Sequence, residues 1–184
     1  MRLRAVVCVI ASFHFASAVS AAAPESPYAG QEARDIKSLP PEDVNAYLSG
    51  KGMGLAKAAE LNGYAGPAHV LELASQLALT PEQRAKTEAL FASMSSKATL
   101  LGQALISEER KLDRLFASKA ITPELLSSSL VEIGALQAKV RGAHLEAHLA
   151  QVKILTPEQN ARYAQLRGYE GSGAHSGHSG QYKH

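Results

Sequence analysis

Three copies of one punctuation constrain this chain more than any other feature: Leu79-Thr80-Pro81-Glu82-Gln83, Ile121-Thr122-Pro123-Glu124-Leu125 and Leu155-Thr156-Pro157-Glu158-Gln159. Each reads as a helix start. The threonine can accept from an orphan backbone N–H, the proline sits at the first helical position where no hydrogen bond is lost, and the glutamate meets the positive end of the helix dipole. In the first and third copies Gln83 and Gln159 stand three residues after the threonine, where the amide can reach back to the cap's own N–H and close a capping box. Leu79 and Leu155, just before the caps, can act as hydrophobic staples. Leu39-Pro40-Pro41-Glu42-Asp43 is a looser relative without a capping hydroxyl.

Between these marks the chain has room for long helices. From Thr80 to about Ser118 there is no proline after Pro81, and Leu90, Met94, Ala98, Leu101, Leu105, Leu112 and Phe116 fall on one helical stripe. Lys119-Ala120 leaves a short turn, so the helix from Thr122 to about Lys153 should fold back antiparallel. That second helix carries Leu126, Leu130, Ile133, Leu136, Val140, Ala143, Ala147, Ala150 and Ile154 toward its partner, and Ala138, Gly142, Leu145, Leu149 and Val152 on the opposite side. The second stripe needs cover, either from the amino-terminal segment or from a second copy of the chain as a homodimer. In the amino-terminal segment Met53 to Leu61 and His69 to Leu77 are expected as short helices around Gly63-Tyr64-Ala65-Gly66-Pro67. The expected fold is all-α: a long antiparallel helical hairpin with short N-terminal helices and a short C-terminal helix.

The chain's first residues place this fold outside the cytoplasm. A basic start at Arg2 and Arg4, an apolar run from Ala5 to Ala18 and small residues before Pro24 are the layout of a signal peptide, cut after Ala18 or Ala21. Cys8 lies at the beginning of the apolar run, so cleavage removes the only thiol, and with it disulfides, thiolate metal sites and cysteine nucleophiles. It also removes Arg2 and Arg4, leaving 17 Lys+Arg of the original 19 against 17 Asp+Glu, a neutral chain that argues against nucleic acid as a partner. The organisation expected is 1–21 signal peptide, 22–65 N-terminal segment, 66–169 hairpin domain and 170–184 a Gly/Ser/His tail. Aromatics are only 5% with no Trp, which suits helices packed through alanine and leucine.

Two Leu-Thr-Pro-Glu-Gln copies bracketing a long hairpin behind a signal peptide resemble the Spy/CpxP family of periplasmic LTxxQ proteins and the related heavy-metal resistance and sensor proteins. The resemblance spans about Ala68 to Tyr169. It implies long antiparallel helices paired into a cradle-shaped dimer that works in the periplasm without ATP. The motif residues Leu79, Thr80, Gln83, Leu155, Thr156 and Gln159 are those that carry it. One departure is charge, since cradles in this family tend to be basic whereas this mature chain is neutral.

Two functions follow. In the first the protein is a non-enzymatic chaperone that holds unfolded or misfolded periplasmic proteins, with Leu145, Leu149 and Val152 as the client or dimer surface. In the second it binds heavy metal for resistance or sensing, in concert with an inner-membrane sensor. His144 and His148 are four apart on one helix and can share a divalent cation such as zinc, copper or nickel, with a partner chain or His69 completing the shell. Otherwise they are boundary residues beside the core. His175, His178 and His184 in the tail can capture the same metals loosely. No enzyme constellation is present: Gly50-Lys51-Gly52-Met53-Gly54 lacks phosphate-loop spacing, and Ser127 to Ser129 have no base beside them.

Overall fold

The computed structural model describes residues 26–169. The expected signal peptide and the tail histidines His175, His178 and His184 lie outside the described residues. The chain divides into two compact units at Glu32/Ala33. Of the first unit, Ser26 to Glu32 form successive turns closed by Ala29 N–H to Ser26 O and Gln31 N–H to Tyr28 O.

Among the described residues the second unit has six helices and no strand: α1 (Pro41–Leu48), α2 (Lys57–Glu60), α3 (Pro67–Glu72), α4 (Pro81–Ala117), α5 (Pro123–Gln151) and α6 (Pro157–Leu166). Four of them, α1, α4, α5 and α6, open on the anticipated proline signals. Thr80, Thr122 and Thr156 all accept from the backbone N–H three residues on. In α4 and α6 the capping box is complete, with Gln83 Oε1 accepting from Thr80 N–H and Gln159 Oε1 from Thr156 N–H. Leu125 has no amide to return, so α5 is capped on one side alone.

The two boxes interlock. The Gln83 side-chain amide donates to Gln159 Oε1 (2.8 Å) and to the Ile154 carbonyl (3.0 Å), while the Gln159 amide donates to Gln83 Oε1 (3.0 Å) and the Leu77 carbonyl (3.1 Å). Each glutamine thus holds its own helix start through oxygen and the other's through nitrogen. Beneath them lies a cluster of Ala65, Val70, Leu77, Leu155 and Tyr163.

α4 and α5 form the antiparallel hairpin, their register fixed by Gln151 Nε2 donating to Thr87 Oγ1 at one level and Lys97 paired with Glu146 at another. Farther along, Leu105, Ile133 and Leu136 close the interface. α1 lies on α4 at Gly102, where any Cβ would run into the Tyr47 carbonyl. The chain leaves α4 through Lys119 in the left-handed region, φ 56°.

Several expectations change. Phe116 and Leu130, assigned to inward stripes, are 54% and 52% exposed because they flank the turn end of the hairpin, where no third element covers them. The first short helix is reduced to α2, since Gly52-Met53-Gly54 is spent on turns with Met53 at φ 47°. The second starts at Pro67 and ends at Glu72, ahead of the turns that bring Ala78 to φ 49°. Among the described residues no helix is long and apolar enough to cross a membrane.

Candidate functional site

His144 and His148 face a cavity of about 590 Å³ enclosed by the loop after α1, by α2 and α3, and by the facing stretches of α4 and α5. Phe91, Met94, Leu61 and Pro67 supply apolar wall, and Met53 lies in the loop wall beside Gly52. The histidines are 4% and 8% exposed, so they are buried floor residues and not the boundary positions expected from the sequence. The helical period alone places them beside the core stripe; the cover comes from the amino-terminal segment, which the period of α5 does not encode.

Each imidazole has a distinct setting. His148 Nδ1 lies 2.7 Å from the Tyr64 carbonyl, which can only accept, so Nδ1 is the donor and Nε2 is the nitrogen left for any ligand role. Gly66 makes room for that edge of the ring: a Cβ there would lie 2.7 Å from Cε1 and 3.0 Å from Nε2. His144 Nε2 is buried with no hydrogen-bond partner among the described residues. Burial first, and then the neighbouring His148, hold the His144 pKa below its ordinary value, which favours the neutral ring.

Glu60 is the one carboxylate in the cavity wall. Its Oε1 accepts from Tyr163 (2.6 Å), Tyr169 (3.0 Å) and Arg167 (3.3 Å), and burial together with this carboxylate drives the Tyr163 phenol well above its usual range. Its Oε2 lies 3.7 Å from His148 Nδ1 and otherwise has no partner among the described residues. Sequence reasoning missed Glu60, because it joins this network across 88 or more residues, the separation of Glu60 from His148, and no local pattern marks it. His69 lines the cavity with its Nδ1 paired to Glu72 at 2.9 Å, and it does not converge with His144 and His148 as a third ligand. Among the described residues no three His, Cys, Asp or Glu side chains converge as a metal shell.

A second feature lies on the outer side of α5. Val131 and Leu149 are 70% and 53% exposed, and Ala138 is exposed between them. Ala135, Gly142 and Leu145 continue the same stripe half-buried, and a Cβ built at Gly134 meets nothing within 4 Å. At 100° per residue no charged residue falls within this face from Val131 to Leu149, a length of about 27 Å, and Glu146, paired with Lys97, borders it at Gly142. Val152, expected on the same surface, is half-buried at the end of α5. The amino-terminal helices do not cover the stripe. α1 and α3 rest mainly on α4, and α2 meets α5 near the cavity.

A helical hairpin whose two LTxxQ starts are tied together, with a buried histidine pair on its second arm, defines a class of small helical-hairpin proteins. The heavy-metal resistance family matches residues 50–162, and the chain belongs to that family, which groups the Spy/CpxP-like LTxxQ proteins with related resistance proteins. Neither curated proteins nor solved structures give a match.

Proposed function

We propose that this protein is a non-enzymatic, exported protein of the cell envelope that holds unfolded or misfolded clients without ATP, and that the outer stripe of α5 is the holding surface. The carrying observation is that α5 is apolar on two sides, while the described residues cover only one of them. A helix that is hydrophobic all round is ordinarily buried, and an uncovered, charge-free strip of this length marks an interaction surface. An extended apolar client segment or the apolar face of a nascent helix can lie along it. A second copy of the chain can use the same strip in a homodimer, which would give the holding surface two walls. Export is supported by the amino-terminal sequence and by the family. The test is aggregation of chemically unfolded clients with the purified protein and no nucleotide. Suppression near one-to-one stoichiometry is expected, and none with several clients contradicts the reading.

A second reading, metal binding, is favoured by a separate observation: two buried imidazoles one helical turn apart on the floor of a cavity, one with a nitrogen that has no partner among the described residues. In this reading metal occupancy would stabilise the cavity side of the fold and accompany the protein's part in resistance. It is tested by metal titration of the full chain against a His144→Ala, His148→Ala variant, with equal binding by both contradicting it.

A further inference from the structure

The metal usually invoked for two helical histidines is a divalent ion with a full nitrogen and oxygen shell, and the residues present do not fit one. Zinc sites take four ligands, or three and water. Here a third and fourth are missing: among the described residues no third His, Cys, Asp or Glu converges on the pair.

A different donor is at hand. The register of the hairpin is fixed by Thr87 with Gln151 and by Lys97 with Glu146. Between these two levels stand Met94 on α4 and His148 on α5, with His144 one turn farther along α5, and all three line the same cavity. We infer that His144, His148 and Met94 form a site for a soft monovalent cation, Cu(I) or Ag(I), and not for zinc or nickel; the inference rests on the metal-binding reading above.

Three physical arguments converge on this choice. Thioether sulfur is a soft ligand that selects Cu(I) and its heavier congener over the borderline divalent ions. A filled d shell with one positive charge is satisfied by two or three ligands, which is what this cavity offers. The cost of taking an ion out of water rises with the square of its charge, and the walls here are largely apolar. Lys51 and Lys57 at the cavity add a positive field that penalises a second unit of charge further. The Tyr64 carbonyl meanwhile fixes the His148 tautomer with its Nε2 free for a ligand role.

The test uses the full chain with silver nitrate in chloride-free buffer and, separately, zinc sulfate. Metal bound inside the fold raises the melting temperature with concentration, whereas histidines equally available in the unfolded chain do not. The expected result is a silver-dependent rise that zinc does not reproduce. Met94→Leu, which conserves volume, should weaken silver binding by at least about tenfold, the scale on which metal sites respond to lost support. X-ray absorption of the silver-loaded wild-type chain needs no variant and should show both sulfur and nitrogen in the first shell. A zinc-dependent rise of equal size that disappears in the His144→Ala, His148→Ala variant would overturn the choice of a soft ion while leaving metal binding intact. A first shell without sulfur, or silver binding unchanged in Met94→Leu, would overturn the role of Met94. No rise with either metal would remove the metal reading itself.

Discussion

Gln83 and Gln159 each close a capping box and also fasten the start of the other's helix, so neither acts alone. Thr80→Ala and Thr156→Ala should each cost about 1 kcal/mol, the usual worth of a threonine cap. Gln83→Ala and Gln159→Ala, compared singly and together by denaturant unfolding, should show a coupling of about 1 kcal/mol, as residues sharing one hydrogen-bond network do. Strict additivity would mean that the amide pair contributes nothing beyond two independent caps. Glu109 permits a pH test. Burial raises its carboxyl above the ordinary 4.5, with the Ser38 hydroxyl pulling the other way. A raised folded-state value means that the folded chain keeps this proton when the unfolded chain has lost it. The associated stability is therefore complete below 4.5 and is lost as pH rises through the folded-state value. Glu109→Gln should melt higher than the wild-type chain at neutral pH and together with it below 4.5, and melting that is lower at neutral pH would show that the charge is compensated.

At the scale of the helices, two glycines should respond oppositely to the same substitution. Gly102→Ala forces a methyl into the Tyr47 carbonyl of α1 and should destabilise by roughly 1–3 kcal/mol, as overpacking does. Gly134→Ala meets open space on α5 and should stabilise by roughly 0.8–1.0 kcal/mol through helix propensity. Chemical denaturation of both variants checks the pair, and similar losses would show that the outer face of α5 is covered. The helices themselves were legible because their starts are written in local chemistry: Thr80, Thr122 and Thr156 cap where the motif places them. The histidine pair was legible as a pair, since a spacing of four fixes a shared side. Its burial was not, because Tyr64, Gly66 and Glu60 reach it from a distant segment whose turns obey no period. Leu130 and Phe116 show the converse, since periodicity assigns a face but says nothing of where a neighbouring element ends.

For the whole molecule, the amino-terminal helices and the hairpin divide two tasks. The short helices cover the cavity side of α4 and α5 and enclose the histidines, and among the described residues nothing covers the outer side of α5. Membership of the heavy-metal resistance family is compatible with either task. The central claim is that the exposed face holds clients, and Leu149, 53% exposed, is where to test it. A glutamate there introduces charge into the strip without entering the core, and surface substitutions of this kind usually change stability by no more than about 0.5 kcal/mol. The measurement is client aggregation in the presence of wild-type and Leu149→Glu protein, with thermal melting of both alongside. Loss of most of the holding activity with the melting temperature nearly unchanged is the predicted result. Full holding activity in Leu149→Glu, or collapse of the fold in place of a selective loss, would contradict it.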